Sequence, residues 1–258
     1  MPDGGRIKQK VGALDLEYVR KGKGKPVVLL HGGDGPVDSA PFAEKLAEKF
    51  DVIVPVHPGF GGTPIPHHFD NVRDLILAHF DFLEDLNLRD VALVGFGLGG
   101  WVAAELATTQ RERIGKLVLV DAVGIKPGGV FDRDIADVFG LAQAEITRRS
   151  WHDPKKAPDI AAMSDDQLAR LAAERTAHAA YVWEPYMHNP KLKHRLYRIK
   201  APTLIVWGES DGIVTTKYGE AYAKLIPGAQ LKVIAKAGHL PHLEQPDEFV
   251  RTVVPFIS

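Results

Sequence analysis

Short apolar runs alternate with longer segments of helical character along most of this chain. The runs are uninterrupted, which is typical of strands that are covered on both faces in a parallel sheet. Several of them lead into glycine-rich loops, which punctuate the change from one element to the next. The alternation therefore predicts an α/β fold with a mostly parallel central sheet flanked by helices. The apolar runs lie at residues 26–30, 52–56, 91–94, 117–120, 202–207 and 231–234.

The alternation stops between residues 124 and 200. Two segments in this region, 130–145 and 165–181, have helical character, and no apolar run separates them. We therefore predict that a core domain, made of a first part at 1–123 and a second part at 201–258, carries a helical cap inserted at 124–200.

Composition narrows the functional class. The 258 residues are 45% hydrophobic, which is enough for the core of one α/β domain. With 32 basic and 33 acidic residues the formal net charge is −1, so we expect neither nucleic acid nor a membrane as a partner. There is no cysteine, which excludes disulfides, thiolate nucleophiles and cysteine-bound zinc. The first residues lack the apolar stretch of a signal peptide, and we expect a soluble, cytoplasmic protein.

A glycine occupies the middle of the loop that follows the run at 91–94. The sequence Gly-Phe-Gly-Leu-Gly at 95–99 resembles the nucleophile elbow of the α/β-hydrolase superfamily, in which G-x-S-x-G turns a strand sharply into a helix. Gly97 stands where the catalytic serine of that motif would be. The resemblance covers nearly the whole chain outside the predicted cap, and it implies an α/β-hydrolase fold.

Two later loops support the resemblance. Gly208-Glu-Ser-Asp211 follows the run at 202–207, and Ala237-Gly-His239 follows the run at 231–234. The family orders its catalytic residues as nucleophile, acid and histidine, and the chain keeps that order. The resemblance implies that His239 is the general base and acid and that Asp211 orients it. Asp121 also follows a buried run and is a rival for the role of the acid.

The resemblance further implies an oxyanion hole, formed by the backbone N–H groups of Gly33 and Leu98. A pocket for an apolar acyl or aromatic group is expected above it. The cluster of Trp183, Tyr186, Met187 and His188 in the cap is compatible with the lining of such a pocket. It is equally compatible with the cap's own core. The candidate substrate-binding residues are Phe96, Trp183, Tyr186, Met187 and His188.

Other polar residues receive structural interpretations. His31 and His57 are interpreted as structural, and Asp34 as a residue that caps a turn, although an acidic group there could also discriminate against anionic substrates. The adjacent pair His67 and His68 does not predict a metal site, because neighbouring side chains diverge and no carboxylate completes the spacing. We expect no metal and no cofactor.

These residues indicate a hydrolase of small apolar ester, acyl or carbon–carbon substrates in which Gly97 replaces the serine, either by engineering or naturally. Glycine offers no nucleophile, so no acyl-enzyme can form and little turnover is expected. A first alternative is an enzyme that uses the His239–Asp211 dyad without a covalent intermediate, as in the cofactor-free dioxygenases of the superfamily, or that activates water. A second alternative is a non-catalytic binder of a small molecule.

Overall fold

An eight-stranded sheet forms the centre of the computed structural model, which describes residues 5–129 and 131–258. The strands lie in the order β1-β2-β4-β3-β5-β6-β7-β8. From β4 through β8 every neighbouring pair is parallel, whereas β1 and β2 form an antiparallel edge beside β4. The strands are β1 Ile7–Val11, β2 Leu14–Lys21, β3 Pro26–Leu30, β4 Asp51–Pro55, β5 Val91–Phe96, β6 Ile114–Val120, β7 Thr203–Gly208 and β8 Gln230–Ile234.

Helices cover both faces of this sheet, and a hydrophobic core lies on each face. Successive residues of the inner strands point alternately into these two cores. Leu29 packs with Phe42 of α1 and Phe249 of α8 on one face. Leu30 packs with the larger cluster on the other face, which contains α2, α3 and α6. The predicted α/β-hydrolase fold is confirmed. The helices are α1 Ala40–Leu46, α2 Val72–Asp85, α3 Gly97–Thr109, α4 Gln143–Ser150, α5 Asp165–Val182, α6 Thr216–Leu225, α7 Pro241–Glu244 and α8 Pro246–Ile257.

The segment between β6 and β7 contains α4, α5 and several short 3-10 turns. The predicted helix at 165–181 is confirmed, and Ser164 and Gln167 form a capping box at its start. The predicted helix at 130–145 is wrong for residues 131–142, which are irregular; Val130 lies outside the described residues. Aspartate side chains in this stretch accept hydrogen bonds from glycine N–H groups, which favours turns over helix. The division into core and cap domains stays a prediction.

A helix that crosses a bilayer has to be both long and apolar. Within residues 5–129 and 131–258, no helix is both long enough and apolar enough to cross a membrane.

Candidate active site

The strand-to-helix turn after β5 places Gly97 at the first position of α3, with φ of +47°. A β-carbon placed on Gly95 would lie 2.3 Å from the carbonyl oxygen of Gly99, and one placed on Gly99 would lie 2.2 Å from that of Leu30. Both positions therefore require glycine. A β-carbon on Gly97 would instead have only His239 Nε2, at 3.5 Å, and Gly32 Cα, at 3.9 Å, within 4 Å. The site has room for a side chain at residue 97.

His239 and Asp211 form the hydrogen-bonded pair that the loop order predicts. Nδ1 of His239 lies 2.8 Å from Oδ2 of Asp211, whose side chain is fully buried. The other carboxylate oxygen accepts the backbone N–H groups of Ile213 at 2.8 Å and Val214 at 3.0 Å. These bonds fix the carboxylate, so the imidazole is held with Nε2 facing residue 97.

The charge of Asp211 decides the protonation behaviour of His239. Burial by itself lowers the pKa of this imidazole, but the negative charge and hydrogen bond of Asp211, with a contribution from Asp34, outweigh it. The pKa of His239 is consequently raised above its ordinary value of 6.5. An imidazole that gains stability on protonation suits a general base.

Hydrogen bonds to α4 and to Glu244 hold the loop that carries His239 in place. The backbone N–H of His239 donates to the carbonyl oxygen of Ser150 at the end of α4, at 2.7 Å. The N–H of Gly238 donates to Glu244, a buried carboxylate that also accepts the N–H groups of His152 and Asp153. The segment between β6 and β7 thus helps to position the histidine.

Both residues predicted to form the oxyanion hole line the cavity beside Gly97. Leu98 follows Gly97 in α3, at a helix N-terminus where backbone N–H groups lack helical partners. Gly33 lies in the loop after β3, and a β-carbon there would approach Cε1 of His178 to 2.3 Å. Any side chain at residue 33 would therefore collide with α5.

The cavity over Gly97 has a volume of about 100 Å³. Phe96 and Met187 from the predicted substrate-binding set line it. Trp183, Tyr186 and His188 do not; they border a second cavity beside residues 125–126 and 132–137. The Tyr186 hydroxyl donates to the carbonyl oxygen of Ala136 and accepts the N–H of Val138, so this side chain supports the inserted segment itself.

Six polar residues of the cavity wall were not predicted from the sequence: Asp38, Ser39, Ser150, Arg175, His178 and His242. Burial lowers the pKa of His178 to about 4, although the charge of Asp34 opposes the shift. Burial, with the charges of Asp34 and Glu174, raises the pKa of Asp38 to about 8. The sequence signal that could have identified His178 was its i, i+4 spacing from Glu174, which places the two side chains on one face of a helix.

Asp34 and Asp121 are the two acidic residues for which the sequence left more than one role open. Asp34 makes no capping hydrogen bond within the described residues and instead lines the cavity. Asp121, the rival acid, is buried and accepts the N–H of Gly208 at 2.9 Å, while Asp211 is the residue bonded to His239. The geometry therefore favours Asp211 as the orienting acid.

Three buried histidines, His31, His57 and His79, form a hydrogen-bonded series that begins in the loop after β3. The N–H of His57 donates to Nε2 of His31 at 3.0 Å, and Nδ1 of His57 lies 2.6 Å from Nε2 of His79. Burial lowers the pKa of all three histidines, that of His57 to about 4, so the three imidazoles are neutral near pH 7. His67 and His68 belong to no cluster of three metal-ligating side chains in the described residues.

Comparison with known proteins identifies the family of this chain. A family model described as the alpha/beta hydrolase family matches residues 27–252, and the chain belongs to that family. It is 25% identical over 263 residues to the 2-hydroxy-6-oxo-6-(2'-aminophenyl)hexa-2,4-dienoic acid hydrolase of Metapseudomonas resinovorans, which covers 96% of this chain and 89% of that protein. It is 27% identical over 260 residues to the pimeloyl-[acyl-carrier protein] methyl ester esterase of Photobacterium profundum, covering 94% and 98%.

Solved structures show the same fold. A meta-cleavage product hydrolase from Pseudomonas fluorescens superimposes with a TM-score of 0.79 at 24% identity, covering 97% of this chain and 96% of that one. A bromoperoxidase from Bacillus anthracis gives a TM-score of 0.78 at 23% identity, covering 98% and 99%. At these identities the similarity concerns the fold alone.

Proposed function

We propose that this chain is a hydrolase of small apolar ester, acyl or carbon–carbon substrates in which the covalent step is blocked by Gly97. The observation that carries the proposal is the 3.5 Å separation between Nε2 of His239 and the β-carbon position of residue 97. One hydroxyl group at that position would complete a nucleophile–histidine–aspartate triad. The named activities of the two curated relatives, a dienoic acid hydrolase and a methyl ester esterase, support this substrate range.

The expected penalty of the missing hydroxyl is large. In a well-studied serine protease, loss of the serine lowers kcat by about 10⁶, and binding with the oxyanion hole leaves about 10³–10⁴ over water. Gly97 also relieves the strain that another residue would bear at a φ of +47°, which is roughly 1–3 kcal/mol. Gly97 is therefore compatible with the backbone of the turn, and we expect the chain to turn over little.

Two substitutions at residue 97 test the proposal. Gly97→Ser and Gly97→Ala place the same β-carbon on the same strained backbone and differ by one oxygen atom. We expect Gly97→Ser to hydrolyse p-nitrophenyl acetate or butyrate at least about 10³ times faster than Gly97→Ala. A folded Gly97→Ser protein with the turnover of Gly97→Ala would contradict the proposal.

A second candidate function is general-base catalysis without a covalent intermediate. It is favoured by the raised pKa of His239 and by the open approach to its Nε2, where no described side chain lies between the imidazole and Gly97. In this case the unmodified chain has an activity that His239→Gln abolishes. If a measured activity of the unmodified chain survives His239→Gln, this candidate fails.

A further inference from the structure

A second carboxyl group, Asp121, lies behind the Asp211–His239 pair. Asp121 directly follows β6, and Asp211 follows the neighbouring strand β7. The two residues are 1% and 4% exposed. One oxygen of each and one ring nitrogen of His239 all lie within 4.8 Å of one another. Two carboxyl groups thus occupy one buried space beside a single imidazole.

Hydrogen bonds stabilise a negative charge better on Asp211 than on Asp121. Asp211 interacts with two backbone N–H groups and with His239. Asp121 accepts a single N–H, that of Gly208, on Oδ1. Its Oδ2 accepts no hydrogen bond from any N–H or O–H donor in the part of the chain that the structure describes, so its one polar neighbour is the Asp211 carboxylate. A carboxylate with more donors is the stronger acid of such a pair.

Two buried carboxylates at this distance repel strongly, so one of them keeps a proton. Burial, followed by the charge of Asp211, raises the pKa of Asp121 well above its ordinary value. The proton therefore belongs to Asp121. Because Oδ1 already accepts from Gly208, Oδ2 is the oxygen that carries it.

We infer that Asp121 is a positioning residue: its protonated Oδ2 donates a hydrogen bond to the Asp211 carboxylate, which fixes that carboxylate and moderates the negative charge that His239 experiences. The proton stays on Asp121 throughout, and no covalent step is involved. The inference concerns the unmodified chain and does not depend on what stands at residue 97, so it can fail or hold independently of the proposed function.

Asp121→Asn distinguishes a protonated from an ionised Asp121. Asparagine keeps an acceptor for Gly208, supplies N–H donors towards Asp211, and tolerates the φ of +43° at this position. We expect the pKa of His239, measured by NMR titration and assigned by its loss in His239→Gln, to change by less than about 0.3 units. A fall of about one unit or more would show that a charge had been removed, and would overturn the inference.

The other groups that act on His239 stay unchanged in this variant. Besides burial and the charge of Asp211, the charge of Asp34 in the loop after β3 affects the pKa of His239. The His239 imidazole in turn affects the pKa of His178 in α5 and of His242 in α7. A shift in Asp121→Asn can therefore be assigned to residue 121.

Infrared spectroscopy gives a second measurement that does not require Asp121→Asn to fold. A protonated carboxyl group has a C=O stretch that a carboxylate lacks. Because the pKa of Asp38 is raised to about 8, the spectrum is recorded on Asp38→Asn under mildly alkaline conditions. We expect a carboxylic acid band whose frequency shifts when Asp211→Asn is added, since the acceptor that faces the Asp121 O–H then changes from a carboxylate to a neutral amide. Absence of the band before that change would overturn the inference.

Discussion

Two sets of residues meet at this site and are positioned in different ways. The sheet-edge set, Gly97, Asp211 and His239, lies just after the carboxyl ends of β5, β7 and β8. The inserted-segment set, Arg175, His178 and Met187, comes from the region between β6 and β7 and lines the cavity from the other side. The difference teaches that the sheet edge supplies the groups nearest residue 97, whereas the inserted segment supplies the opposite cavity wall and helps to anchor the loop that carries His239.

The largest effect is expected within the sheet-edge set. In a Gly97→Ser background, Asp211→Asn should lower kcat for p-nitrophenyl esters by about 10⁴, because the imidazole loses its orienting carboxylate. His239→Gln should reduce it at least as much. His67→Gln, in an exposed loop, is the matched control and should change little. Activity within tenfold of the parent in His239→Gln would show that the pair has no catalytic role.

Glycines of the elbow should differ in their tolerance of a methyl group. Gly95→Ala forces a β-carbon to 2.3 Å from a backbone oxygen, so we expect a loss of about 3 kcal/mol or more in the free energy of unfolding. Gly97→Ala meets no such contact and should lose only about 1–3 kcal/mol through its positive φ. Urea unfolding measures both. Equal losses would mean that the turn is less tightly packed than described.

Asp38 lies where the two sets meet, and its titration should affect stability. The folded state holds the proton up to a pKa of about 8, whereas the unfolded chain releases it near 3.8. The free energy of unfolding therefore falls as pH rises between these values, by up to about 1.4 kcal/mol per pH unit. Asp38→Asn should gain stability over the unmodified chain across this window. Parallel curves from urea unfolding at several pH values would argue against the shifted titration.

The smallest effect is expected from the inserted-segment set. In the Gly97→Ser background, His178→Gln should change KM by up to about tenfold with little change in kcat, because it alters the cavity wall and not the reacting groups. Trp183→Gln is the control, since Trp183 borders the second cavity and is 63% exposed. An effect of Trp183→Gln larger than that of His178→Gln would mean that substrate enters by the second cavity.

The sheet-edge set could be predicted from the sequence because parallel strands bring their carboxyl ends to one edge. The apolar runs place the loops at Gly97, Asp211 and His239 at one edge of the sheet, and the resemblance to the α/β-hydrolase superfamily implied that these loops form one site. The choice between Asp121 and Asp211 could not be made in this way, since both follow buried strands. It depends on which carboxylate reaches the imidazole, and only the three-dimensional arrangement shows that.

The inserted segment was less predictable for physical reasons. Residues 131–142 have helical composition, but aspartates there accept hydrogen bonds from nearby glycine N–H groups. The aromatic cluster at 183–188 points mostly to a second cavity, because the Tyr186 hydroxyl binds the backbone of the irregular stretch. Side-chain direction in such a segment depends on long-range packing that local patterns do not encode.

The most direct test of the missing hydroxyl is covalent labelling. Gly97→Ser and Gly97→Ala are each treated with an activated phosphonate, and the intact mass and modified peptide are measured. We predict that Gly97→Ser gains one phosphonyl group at residue 97: His239 removes the serine proton, the serine oxygen bonds to phosphorus, and the bond from phosphorus to the activating group breaks as that group leaves. The backbone N–H groups of Gly33 and Leu98 are expected to bind the phosphonyl oxygen. Gly97→Ala should stay unlabelled. A folded Gly97→Ser protein that gains no mass at residue 97 would contradict the central claim that only one oxygen atom is missing from the site.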